Sequence, residues 1–168
     1  MWTRLAVSDV ALIERWVAVM RPMDRNYSAL KVAEVRGWMA TSLGETWYYR
    51  SERGEIALRF EFIAKRQRYQ LYNVGFLGAL EPAEALDITI ERCLDFVREH
   101  GVESIFALRP KNMAHPGIEA FHRLVPLHPR VAATLRHDSP RLMMWDLAPR
   151  DALAQGASPK LELAATAS

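Results

Sequence analysis

The chain has a single cysteine, Cys93, in 168 residues. One thiol can neither close a disulfide within the chain nor build a cysteine-rich zinc site. Charge of one sign is lacking too: Lys and Arg together number 22, Asp and Glu 20, and the net charge is +2. Nothing global therefore draws the protein to nucleic acid or to an anionic membrane. Lysine is scarce, occurring only at Lys31, Lys65, Lys111 and Lys160, so the basic residues are mostly arginine. Long apolar runs are missing as well, and no segment approaches the roughly 20 apolar residues of a membrane span. The opening MWTRLAVSDVALIERW carries Arg4, Asp9, Glu14 and Arg15 and no apolar stretch of signal-peptide length. The expectation is a protein that makes no membrane contact and stays in the cytoplasm.

What is present suits one globular domain: half of the residues are hydrophobic and a quarter are charged. Trp2 to Val7 reads as a first strand. Ser8 is placed to cap a helix whose face is Leu12, Ile13, Trp16, Val17 and Met20, at spacings of three and four. Asn26 or Ser28 is expected to open a second helix striped by Val32, Val35, Met39 and Leu43, with Gly44 just past its end. From Thr46 the pattern changes to period two. TWYYRSE is one strand, and Ile56 to Phe62 is a half-buried second with Arg59 and Glu61 on its polar face. The run Lys65 to Arg68 forms a hairpin tip, and Tyr69 to Phe76 is a third strand. Pro82 suits the first turn of a long helix striped by Leu86, Ile90, Leu94 and Val97 and ended by Gly101. VESIFAL reads as a parallel strand covered on both faces. Pro116 opens a short helix with Ile118, Phe121 and Leu124 inward, and two strands, Val131 to His137 and Leu142 to Leu147, meet at Ser139-Pro140. Residues 1–148 form the domain. Residues 149–168 read as a tail, flexible or docked on another protein or a second copy of this chain.

The order β-α-α-β-β-β-α-β-α-β-β resembles that of the GNAT superfamily of N-acetyltransferases. The segments that carry the likeness are WTRLAVSDVALIERW, VESIFALRPKN and GIEAFHRLV. The resemblance implies an α/β (α+β) fold, with a mixed central sheet, an antiparallel meander and one parallel βαβ junction. It implies acetyl-CoA or another acyl-CoA as cofactor, no metal, and direct attack of an amine on the thioester. The strand-end backbone at Val74, Phe76, Leu77 and Gly78 would hold the pantetheine arm, and Asn112 would hydrogen-bond substrate or cofactor at the end of the parallel strand. Glu61 is the carboxylate best placed as a base.

Two stretches depart from the family. Its pyrophosphate loop is Gln/Arg-x-x-Gly-x-Gly/Ala, whereas here Phe76 to Glu84 reads FLGALEPAE. Glu81 and Glu84 put carboxylates where an anion should sit, and Pro82 removes a backbone donor. The family's acidic Tyr on the last helix aligns with Phe121, which has no proton to give. His122 beside it could act as acid or base, and is otherwise expected to be an exposed helix histidine. Two readings follow: a GNAT-like N-acyltransferase with an atypical cofactor loop, or a non-catalytic GNAT-fold structural or interaction protein, such as a phage virion or assembly component. A nucleic-acid role for KRQRY, with Tyr69 stacking on a base, is a lesser third.

Overall fold

We describe the fold from a computed structural model, over residues 1–23, 27–110 and 116–150. Seven strands form one sheet, β1 (Trp2–Arg4), β2 (Gly44–Arg50), β3 (Gly54–Ile63), β4 (Arg68–Gly78), β5 (Ile105–Pro110), β6 (Val131–Asp138) and β7 (Leu142–Pro149). Their order is β1-β2-β3-β4-β5-β7-β6. All pairs are antiparallel except β4 with β5. Helices α1 (Val10–Met20) and α2 (Val32–Thr41) belong to one face, and α3 (Pro82–Glu99) and α4 (Pro116–Leu124) to the other. The architecture and element order are those expected from the resemblance.

Strand alternation sends its two sets of side chains into two cores. Ile56, Leu58 and Phe60 of β3 pack with Leu86, Ile90 and Phe96 of α3, where Phe60 and Phe96 stack at 4.1 Å between ring centroids. On the other face Ala57 and Tyr48 pack with Ile13, Trp16 and Val17 of α1. Both faces of β3 are therefore covered, and the half-buried strand expected there is buried from Gly54 to Phe60. Arg59 is the consequence: expected on a polar face, it is 1% exposed. It survives burial because its guanidinium donates to Thr46 Oγ1 (2.7 Å) and to Ser42 Oγ, and pairs with Glu61.

Several boundaries differ from expectation for local reasons. β1 stops at Arg4. Asp9, not Ser8, is the N-cap residue of α1, and its carboxylate accepts from the Ala6 N–H at 2.7 Å. α2 begins at Val32, after Lys31, whose N–H donates to Glu34 Oε2 at 2.8 Å. Asn26 lies outside the described residues. Leu43 falls beyond α2 and is 74% exposed, and Gly44 starts β2 rather than ending a helix. A Cβ at Gly44 would sit 2.5 Å from the Phe60 carbonyl oxygen. Gly44→Ala is therefore expected to lower stability by about 1–3 kcal/mol in chemical unfolding, because backbone on both strands must shift.

At the Lys65–Arg68 tip a short 3-10 turn, Ala64–Arg66, is followed by Gln67 in the left-handed region at φ 51°, and Arg68 already begins β4. Its arginines serve the fold: Arg68 reaches Ser104 and Asp146, and Arg66 lies over the Phe106 ring at 5.4 Å. Among the described residues no helix is long and apolar enough to cross a membrane. Residues 151–168, which make up most of the expected tail, lie outside the described residues.

Candidate active-site cleft

The parallel junction is short. β4 and β5 pair only at Gln70↔Phe106 and Leu71↔Ala107. The cause lies in the register of β4 on β3. Leu71 opposes Phe60 and Asn73 opposes Arg59, so Tyr72 is an extra residue, a bulge. A bulge bends its strand and interrupts the ladder. Past it β4 stays on β3 as far as Gly78, while β5 continues on β7 through Leu108↔Met144 and Arg109↔Met143. Each strand is left with an edge that no strand among the described residues pairs, and backbone donors and acceptors on such an edge need partners.

A cavity of about 260 Å³ occupies the parting. Met20, Met23 and Tyr27 line it from the α1 side, Asn73 and Val74 from β4, Leu108 from β5, and Phe121 and His122 from α4. Residues of both helical layers meet there, so the cavity passes through the plane of the sheet.

Its polar equipment is sparse and incompletely satisfied. Asn73 is 2% exposed, and its Nδ2 donates to the Tyr27 hydroxyl at 2.7 Å, but its Oδ1 has no partner among the described residues. His122 is 6% exposed and its Nδ1 also lacks a partner. The exposed histidine expected from the sequence is thus a buried one. The single apolar stripe of α4 hid this, because the helix is covered both by the core around Phe121 and by the cleft. Burial, assisted by the positive charge of Arg109, pushes the His122 pKa down to about 4. The imidazole is therefore neutral at pH 7. Arg109 in turn lies 3.6 Å from Glu119.

The other candidates from the sequence are dispersed. Glu61 pairs with Arg59 at 3.2 Å and is not among the residues lining the cavity. Val74 lines the cavity. Phe76 lies one step along β4, in a separate hollow of about 50 Å³ with Leu80 and Pro82 at the start of α3 and Phe121 of α4. Leu77 is 40% exposed and opposes Glu55. Gly78 ends β4 at φ +106°, a conformation that favours glycine, and a Cβ there would meet Gly54 Cα at 2.7 Å. Asn112 lies outside the described residues. Sequence reasoning missed Asn73 and Tyr27, and the bulge that brings them to the cleft carries no glycine or proline to announce it.

At the start of α3, Pro82 occupies the first turn and Glu81 is the N-cap residue with no side-chain cap bond. Glu84 is not an isolated charge: its Oε2 is 2.7 Å from Arg53 Nη1, in the turn between β2 and β3. Phe121 is 2% exposed and packs in the core. Among the described residues no group of His, Cys, Asp and Glu could hold a metal. Cys93 is buried, and desolvation, only partly opposed by Arg92, pushes its thiol up to about 12, which makes it a small core residue.

No protein-family model matches the sequence, and no curated protein matches it either. Solved structures do match in shape. An aminoglycoside 6'-acetyltransferase type Ii superposes with a TM-score of 0.62 at 10% identity, over 88% of this chain and 96% of that one. A GNAT-family acetyltransferase from Listeria monocytogenes 4b F2365 gives 0.57 at 8% identity, over 87% and 92%. The PaiA N-acetyltransferase from Thermoplasma acidophilum, solved with coenzyme A, gives 0.51 at 10% identity, over 88% and 98%. The chain has the GNAT fold, with its mixed sheet and single parallel pair.

Proposed function

We propose that this protein is an acyl-CoA-dependent N-acyltransferase whose reaction takes place in the cleft where β4 and β5 part. The observation that carries this reading is the cavity at the parting of β4 and β5, whose wall includes Asn73 and His122, each with a buried polar atom that has no partner among the described residues. Such atoms cost about 1–3 kcal/mol each when unmet, so a ligand that meets them recovers that energy.

The residues present fit the pantetheine arm of acyl-CoA. Its amides can bond to the free edge of β4 from Asn73 to Leu77, and Val74 and Phe76 offer apolar contact beside it. Bound acyl-CoA would supply the acyl group as a thioester. The apolar walls Leu71, Leu108 and Phe121 exclude water from that bond, which suppresses hydrolysis. His122 is neutral and can accept the proton that the attacking amine loses, then return it to the departing sulfur. Glu61 stands too committed to Arg59 to be the first choice for that proton.

The start of α3 fits a pyrophosphate less well. Glu84 shares the site with Arg53, which offsets one of the two acids there, while Glu81 at the N-cap keeps the helix start net negative. A non-catalytic GNAT-fold protein is the alternative reading, and Glu81, with Phe121 in place of a proton-donating Tyr, are the residues that favour it. Glu84→Gln frees Arg53 for an anion and is expected to tighten acetyl-CoA binding about three- to tenfold, read by calorimetric titration. Unchanged or weaker binding means that the pyrophosphate does not sit there.

The test of the function is release of free thiol from acetyl-CoA in the presence of a panel of primary amines, alongside a thermal shift with acetyl-CoA alone. Stabilisation together with amine-dependent thiol release supports the reading. No shift at millimolar acetyl-CoA overturns it.

A further inference from the structure

The cleft also carries information about the acceptor. Its α1 side is formed by Met20 and Met23, with Tyr27 and Asn73 as the polar groups there. Leu71, Leu108, Phe121 and Leu142 continue the apolar lining. The thioether side chains of Met20 and Met23 adapt to irregular apolar shapes. Asn73 is fixed by its place beside the bulge and by the Tyr27 hydroxyl that accepts its Nδ2–H at 2.7 Å. That bond uses the amide nitrogen and directs the oxygen elsewhere. Asn73 Oδ1 is then a pure acceptor, buried, without a partner among the described residues, on a residue of the cavity wall. On the α4 side His122 Nδ1 is a second buried atom without a partner among the described residues. An unmet acceptor such as Asn73 Oδ1 selects a donor, and an amine nitrogen carrying its hydrogens is one.

We propose that Asn73 grips the acceptor through Oδ1, and that the acceptor is a primary amine on an apolar body, an alkyl or aralkyl amine rather than a polycation. The inference rests on the acyltransferase reading for what happens to the amine after it binds. It does not need that reading for the binding itself. Asn73 orients the amine by accepting one N–H, which leaves the nitrogen lone pair free to face the thioester carbon. The apolar body lies along Met20 and Met23. Tyr27 is a positioning residue that acts through Asn73.

The test uses the full chain, with phenethylamine as the apolar probe and spermidine as the polycationic one, and binding is read by ligand-detected NMR without acetyl-CoA. Phenethylamine is expected to bind the wild type more tightly than spermidine does. Asn73→Leu should weaken phenethylamine at least about tenfold, while Asn73→Asp keeps it, because a carboxylate still takes the Tyr27 hydroxyl on one oxygen and the amine on the other. A purely structural Asn73 predicts the reverse order, since a buried carboxylate harms a fold more than a leucine of similar size. If Asn73→Leu shows no cooperative melting transition, Asn73→Ala is read in the same way. Equal binding to wild type and Asn73→Leu, or preference for spermidine, overturns the inference. Thiol release from acetyl-CoA separates the two ideas. Phenethylamine bound through Asn73 without thiol release removes the acyltransferase reading and leaves this one. Thiol release that Asn73→Leu does not change removes this one and leaves the acyltransferase.

Discussion

His122→Gln is expected to lower kcat about a hundredfold while leaving the thermal midpoint at pH 7 within a few degrees of the wild type. Glutamine fills similar space and can still hydrogen-bond, but it cannot carry a proton from the amine nitrogen to sulfur. The same substitution has a signature in stability against pH. In the folded protein burial and Arg109 hold the His122 pKa at about 4, below the 6.5 of a free histidine. Between those values the unfolded chain binds a proton that the folded one refuses, so stability rises with pH there and falls on acidification. From pH 7 down to about 4 the wild type should lose about 3 kcal/mol from this group. His122→Gln should lose that part of the slope. Glu55 adds a second loss at lower pH. Burial alone would push its carboxyl up, but hydrogen bonds from Arg15 and Tyr48 outweigh that and hold it below its usual value. Its contribution is present above the ordinary carboxylate range and fades as pH falls through the lowered folded value, beneath the His122 window. Denaturant titrations at pH 7, 5.5 and 4 on wild type and variant isolate the His122 part, and a further titration below pH 4 reads the Glu55 part. An unchanged slope in His122→Gln means that His122 is not buried as described.

Phe96→Ala is expected to cost about 3–5 kcal/mol, among the largest losses available from a single truncation in this chain. Phe96 is fully buried on α3, stacks on Phe60 of β3 at 4.1 Å, and meets Tyr69 edge-on at 5.0 Å and His100 at 4.2 Å. It links α3 to the two strands that bracket the turn at Lys65–Arg68. Truncation leaves a void among rigid aromatic partners that cannot collapse into it. Urea unfolding followed by circular dichroism measures the loss, and a cost under about 1 kcal/mol would mean that α3 does not rest on β3 as described.

The fold was legible because its elements carry strong periodic signals. The Leu86, Ile90, Leu94 and Val97 stripe, Pro82 at the first turn, Gly101 at the end and the unbroken apolar strand after it leave little room for another βαβ reading. What escaped depended on layers that no local window contains. Arg59 alternates like a surface residue, yet the α1–α2 layer closes over that face of β3. His122 sits a hundred degrees from the stripe of α4, yet the cleft covers it there. The Tyr72 bulge flips the parity of β4 within an ordinary-looking strand, and without it Asn73 would not share a face with Tyr27. The sequence did single out His122 and Val74, which line the cavity. Its carboxylate candidate, Glu61, is instead tied to Arg59, an ion pair two residues apart on one strand that composition alone cannot distinguish from a free base.

The most direct test of the central claim is to map acetyl-CoA onto the protein by backbone amide chemical shifts. The account predicts saturable perturbations concentrated at Asn73 to Leu77 of β4, at Leu108 and Arg109 of β5 and at His122 of α4, with little change along β1, β2 or β6. Millimolar acetyl-CoA that leaves those amides unmoved, or moves a different surface, would contradict it.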